Sequence, residues 1–308
     1  MMKCVKILTF CIVLLLPYLL VAQHVKTRMV GDSIRVMRKI QYSQAARLDK
    51  KRTKPLYFDF YEPSWDSTAY RPLVINVFGG GFVAGSRDYA DMKAWCKHFA
   101  GCGYAAATID YRLISVNQIS HDNFYRAGYL ASLDVMAAVE FFKNNYEQYR
   151  IDTNRIFLLG QSAGATAIIH ALFMDNDERP AEIPDSDEFP QKTSTCRVAG
   201  AILLWGCIQQ PEIIDKDETT PLCLIHGAKD KILSIEEGHA FSRKSFPYVY
   251  GSQCIAKRLT ELGRSDFEFH KFDDEGHAFY FNTLALFNLS PKKFNTCFQI
   301  AVRFMEAQ

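Results

Sequence analysis

The chain has 308 residues, a formal net charge of +2 and 48% hydrophobic residues. That length suits one large globular domain, although length alone also admits two small ones. The near-neutral charge gives no electrostatic reason to expect a nucleic-acid partner, and the 13% aromatic content with its apolar runs excludes a disordered chain.

The first segment carries Lys3 and Lys6, then an almost wholly apolar run over 7–16, with Leu19, Leu20 and Val21 after Pro17. Ala22 before Gln23 supplies a small residue at a cleavage point. The run is short against the roughly 20 residues of a bilayer span. It reads as a signal peptide over 1–22, leaving one domain over 23–308 in a secreted or periplasmic location. No stable membrane span is expected after cleavage; an uncleaved anchor is the alternative. Nine cysteines occur, and Cys4 and Cys11 lie in this leader. Of the others, Cys96 and Cys102 are near enough in sequence to pair, whereas Cys207 and Cys223 read as buried thiols. No cysteine or histidine spacing matches a zinc site.

Beyond the leader, short apolar runs alternate with helical patterns. Residues 73–78 predict a buried strand that ends in Phe78-Gly79-Gly80-Gly81-Phe82. Three glycines leave backbone N–H groups free to face a cavity, so Gly80 and Gly81 are expected donors to an oxyanion. A phosphate loop is excluded because no Lys-Ser or Lys-Thr pair follows. A helix over 91–100 and a strand over 105–109 come next, the strand leading into Asp110-Tyr111-Arg112. Apolar residues at helical spacing predict a helix over 127–146. Residues 155–159 predict a strand that runs into Gly160-Gln161-Ser162-Ala163-Gly164, followed by a helix over 165–173. The pattern G-x-S-x-G between a strand and a helix lifts a serine on a sharp turn, with the Ala163 N–H as a third oxyanion donor. A serine that merely caps the helix is the plainer alternative.

The segment 175–195 is rich in Asp, Glu, Pro and Ser and reads as a solvated loop or a lid. Strands are predicted over 199–205, 221–226 and 267–272, and helices over 252–262 and 292–305. This alternation argues for βαβ units and a mainly parallel sheet covered on both faces. The stretch 234–251 interleaves Phe241, Phe246, Tyr248 and Tyr250 with Arg243 and Lys244, as a cleft wall or a packed connection.

These motifs together resemble the carboxylesterase and lipase-like branch of the α/β-hydrolase superfamily, whose oxyanion motif reads His-Gly-Gly-Gly. The matching pieces are Phe78 to Phe82, Asp110-Tyr111-Arg112, Gly160 to Gly164, His226-Gly227-Ala228-Lys229-Asp230 and Gly276-His277-Ala278-Phe279. The resemblance implies an α/β-hydrolase fold with a mainly parallel central sheet and helices on both faces. It implies Ser162 as nucleophile, Asp230 as the acid and a histidine near the chain's end as base. Gly-His-Ala-Phe occurs twice, at His239 and at His277. His277 follows the last predicted strand and is the expected base; His239 is expected to line the cleft. His226 reads as a structural histidine, and Asp110-Tyr111-Arg112 as a structural element at the sheet's edge. Phe78 stands where the family carries histidine, so the glycine loop needs another brace.

The implied activity is ester hydrolysis through an acyl-enzyme on a small-molecule or carbohydrate ester, with no metal or organic cofactor. An exported serine peptidase and an inactive hydrolase-fold binding protein are the alternatives.

Overall fold

The computed structural model describes residues 33–47, 50–65, 67–116, 120–179, 196–282 and 288–308. The expected signal peptide over 1–22 and most of the acidic segment, 180–195, lie outside them.

The centre is an eight-stranded sheet in the order β1-β2-β4-β3-β5-β6-β8-β11. Its strands are β1 (Ile34–Arg47), β2 (Lys50–Pro63), β3 (Arg71–Val77), β4 (Ala105–Ile109), β5 (Ile151–Gln161), β6 (Gly200–Leu204), β8 (Leu222–Gly227) and β11 (Phe267–Phe272). From β4 to β11 all neighbours are parallel, while β1 and β2 form an antiparallel hairpin at one edge. The interior strands β3, β4, β6 and β8 are buried along almost their whole length. They therefore read as continuous apolar runs, the signature of a parallel sheet covered on both faces.

The helices are α1 (Ala90–Gly101), α2 (His121–Asn144), α3 (Tyr146–Tyr149), α4 (Ala163–Phe173), α5 (Ser252–Glu261) and α6 (Pro291–Glu306). Helices α2 and α4 pack together. Trp95 and Phe99 of α1 meet Phe294 and Phe298 of α6, with ring centroids of Trp95 and Phe294 4.9 Å apart. Among the described residues no helix is long and apolar enough to cross a membrane.

Two parts of the fold lie beyond the sequence expectations. Strands β1 and β2 pair over their length, but register shifts between Met37 and Ile40, and a positive φ of 56° at Lys39, break the period-two pattern. A second sheet, β7-β10-β9, joins β7 (Cys207–Ile208), β9 (Glu237–His239) and β10 (Tyr248–Gly251). Its strands are too short to show periodicity.

Cys96 and Cys102 are both free rather than paired. Cys96 is buried against β3, where the Asn76 amide donates to its sulfur at 3.4 Å. Arg112 is buried and ion-paired with Asp134 at 2.9 Å, and also donates to the Leu130 carbonyl, which is a structural anchorage.

Candidate active site

Ser162 sits between β5 and α4 with φ 50° and ψ −121°, a strained conformation for a residue with a side chain. The turn that holds it tolerates no bulk on either side. A Cβ on Gly164 would lie 2.2 Å from the Val77 carbonyl oxygen, and one on Gly160 would lie 2.7 Å from the Ala165 nitrogen. The two glycines of the pentapeptide let α4 start directly against the end of β3, and the serine is lifted out at the carboxyl edge of the sheet.

The loops after β8 and β11 bring the other groups to this edge. The Ala228 N–H donates to the Phe272 carbonyl at 2.9 Å and the Lys229 N–H to the Glu275 carbonyl at 2.8 Å. Gly227 permits this stitching, because a Cβ there would lie 2.4 Å from the Glu275 carbonyl oxygen. Asp230 and His277 are thereby held side by side. His277 Nδ1 lies 2.6 Å from Asp230 Oδ2, and His277 Nε2 lies 3.0 Å from Ser162 Oγ. The other oxygen, Asp230 Oδ1, accepts the Ile232 and Leu233 N–H groups at 2.8 and 2.9 Å. Burial alone would push the Asp230 carboxyl up. Hydrogen bonds from His226 and His277 outweigh that and hold it below the ordinary carboxylate range.

Gly80 and Gly81 face the same cavity as Ser162 and His277. Gly80 has φ 126° and its carbonyl accepts the Val83 and Ala84 N–H groups, closing a tight turn. A Cβ at Gly80 would lie 2.1 Å from the Ala84 carbonyl oxygen, so only glycine fits. Ala163 is the first residue of α4, where an N–H has no partner within the helix. The loop's brace is aromatic. The Phe78 ring stacks on Tyr111 with centroids 4.3 Å apart, and the Tyr111 hydroxyl donates to the Phe78 carbonyl at 3.0 Å. Tyr111 belongs to Asp110-Tyr111-Arg112, so this motif supports the glycine loop.

The cavity encloses about 730 Å³ and its walls are mainly apolar, with Phe78, Val83, Trp205, Ile232, Phe241 and Phe246. Phe241 has φ 58° and its ring touches the Gly81 position, while Phe246 packs on it with centroids 4.8 Å apart. Of the stretch 234–251, Phe241 and Phe246 wall the cavity, whereas Tyr248 and Tyr250 belong to β10 and are not in its lining. Buried Asp91 is a polar point in the lining. Burial pushes its carboxyl up, and the Tyr280 hydroxyl lies 3.5 Å from its Oδ2.

His239 corrects an expectation. It binds the Phe246 carbonyl at 2.8 Å through Nδ1 and packs edge-on to Tyr248, and it is not among the residues that line the cavity. Strand β9 pairs with β10 and turns His239 into this small sheet. Sequence reading did not place Trp205, Asp91 or Gln161 at the site, and it missed the contact of His226 with Asp230. The last had a signal, since His226 and Asp230 share the motif after β8. Among the described residues, Cys223, Glu268 and His270 bring potential metal-ligating atoms within 4.8 Å of one another; none of these residues lines the cavity.

Residues 58–209 match the family model described as BD-FAE. Over 234 residues the chain is 30% identical to a probable isoprenylcysteine alpha-carbonyl methylesterase of Oryza sativa subsp. japonica, covering 72% of this chain and 48% of that protein. Over 97 residues it is 33% identical to gut esterase 1 of Caenorhabditis elegans, covering 32% of this chain and 17% of that protein. The chain thus spans less than half the length of these curated relatives. Among solved structures, the propionate-bound esterase Est2 of Thermogutta terrifontis superposes with a TM-score of 0.60 at 19% identity, over 91% of this chain and 95% of that one.

Proposed function

We propose, for a chain that matches an α/β-hydrolase-fold esterase and lipase family, that it is a serine carboxylic-ester hydrolase with Ser162 as nucleophile. The observation that carries this reading is the unbroken line Ser162 Oγ, His277, Asp230, with contacts of 3.0 and 2.6 Å, opening into a cavity beside a glycine loop. In the proposed reaction His277 Nε2 takes the Ser162 hydroxyl proton as Oγ bonds to the ester carbonyl carbon. The carbonyl electrons move to oxygen, and the N–H groups of Gly80, Gly81 and Ala163 receive that charge. Each such donor is worth about 3 kcal/mol at the transition state. Collapse expels the alkoxide, which leaves as the alcohol with the proton from His277. Water then attacks the acyl-Ser162 ester, giving its proton to His277, and the carboxylic acid departs as Ser162 is re-protonated. Asp230, held ionised, keeps Nδ1 of His277 protonated and stabilises the imidazolium.

The walls match an apolar acyl or aryl group better than a sugar ring, whose hydroxyls find few partners there. A carbohydrate ester is therefore recognised, in this reading, through its acyl arm. The test is labelling by a fluorophosphonate together with hydrolysis of short and long p-nitrophenyl esters. Wild type should label at Ser162 and turn over. Ser162→Ala should remain folded, fail to label and lose about 10⁶-fold in kcat. A folded wild type that neither labels nor hydrolyses any ester supports the inactive binding protein instead.

A further inference from the structure

Asp230 is shared by two histidines, of which the reaction above uses one. Its Oδ2 lies 2.6 Å from His277 Nδ1 and 3.2 Å from His226 Nε2. His226 is wholly buried on β8. Its tautomer follows from its neighbours. Nε2 faces two acceptors, Asp230 Oδ2 and the Leu233 carbonyl at 3.0 Å, so it carries a hydrogen. An imidazole whose one hydrogen sits on Nε2 presents Nδ1 as an acceptor. Nδ1 is then bare and accepts the hydroxyl of Ser252, 2.8 Å away in the first turn of α5 and itself buried. The donors run in one direction, from Ser252 to His226 to Asp230.

We propose that His226, locked by Ser252, is a positioning residue that aims Asp230 Oδ2 at His277 and tempers its charge. The proposal rests on the Ser162, His277, Asp230 reading above. Asp230 Oδ1 is already tied to two backbone N–H groups, so the His226 donor removes the carboxylate's remaining freedom to swing. A donor on Oδ2 also draws negative charge away from the His277 contact, so the carboxylate stabilises an imidazolium there less than it would without that donor. The titratable groups facing Asp230 are His226, His277 and the Cys207 thiol. Burial pushes that thiol up to about 12, which leaves it neutral at working pH.

The experiment uses the full chain with His226→Phe, which keeps a ring and removes both nitrogens, His226→Gln, which restores an N–H donor, and Ser252→Ala, which unlocks the tautomer. Kinetics on p-nitrophenyl butyrate are normalised to active sites counted by fluorophosphonate, and the low-field proton spectrum reads the His277 Nδ1–H directly. His226→Phe should lower kcat about ten- to a hundredfold with KM within about twofold, the rate equivalent of one charge-assisted hydrogen bond. The acid limb of kcat/KM should move up by about half a unit to one unit, and the Nδ1–H resonance should shift. His226→Gln should recover most of kcat, and Ser252→Ala should lie between. Should His226→Phe fail to fold, the other two variants decide. Variants whose melting temperature falls while kcat per active site, the acid limb and the resonance stay at wild-type values overturn the proposal and leave His226 a structural tie. An unreactive wild type overturns the hydrolase reading separately, and the resonance still decides this one.

Discussion

Burial and hydrogen bonding oppose each other at Asp230, and hydrogen bonding wins, so its carboxyl titrates below the ordinary range. A depressed folded-state value contributes stability that is fully present above pH ~4 and is lost as pH falls through the folded value. The melting-temperature advantage of wild type over Asp230→Asn should therefore hold from pH 5 to 8 and shrink below ~4; thermal scans across that range check it. Between those pH values kcat of Asp230→Asn should be down by about 10⁴, because the imidazole loses its orienting acceptor. His277 and His239 sit in identical tetrapeptides but in different contacts. His277→Ala should abolish turnover and slow fluorophosphonate labelling. His239 does not itself line the cavity and holds the Phe246 carbonyl and the Tyr248 ring, so His239→Ala should leave kcat within about threefold, the scale of one part-buried hydrogen bond. A reversed pair of phenotypes would mean the loop after β11 is wrongly assigned to the site.

Among the elements, the glycine loop after β3 depends on an aromatic brace in place of the histidine usual in the resembling family. Tyr111→Phe keeps the stack on Phe78 and deletes one hydrogen bond to the loop's first carbonyl. It should cost about 1 kcal/mol of stability and lower kcat several-fold at constant KM, as measured by melting and steady-state kinetics. Gly80→Ala should be far more severe. Its Cβ would enter the Ala84 carbonyl at 2.1 Å and its φ of 126° excludes alanine, so the loop must open. A loss of at least about 10²-fold in kcat is expected, the measured scale for one oxyanion donor. Most elements were legible because parallel strands are buried on both faces and read as solid apolar runs. The β1–β2 hairpin was not. Its bulges shift the pairing register, and Pro55 interrupts β2, so neither strand keeps a clean alternation. The β7-β10-β9 sheet was not legible either, since strands of two to four residues hold no period.

For the whole molecule, stability should respond to pH through a cluster of carboxylates that the fold gathers. Burial pushes Glu218 up to about 7, and Asp175, Asp215 and Glu178 add repulsion that opposes the bond from the Asp215 N–H. A raised folded-state value means the contribution is fully present below the ordinary value near 4.5 and is lost as pH rises through about 7. Glu218→Gln should thus gain melting temperature over wild type progressively between pH 4.5 and 7.5, and a flat difference would show that the carboxyl titrates normally. Sequence by itself determined the parallel α/β layout and the strand-turn-helix around Ser162, while the order of serine, acid and histidine is what the family resemblance implies. Each of these is written locally, in apolar runs, in glycines that close contacts require, and in short motifs. Chain order pointed to His277 as the Gly-His-Ala-Phe copy that meets Asp230, because it follows the last strand, and the tertiary structure supplies the contact itself. It also decided that Phe78 is held by Tyr111, and that His226, an apolar-strand residue by sequence, donates to Asp230. Such contacts join residues far apart in the chain or aim side chains within a buried turn. Their geometry exists only once β3, β5, β8 and β11 lie side by side.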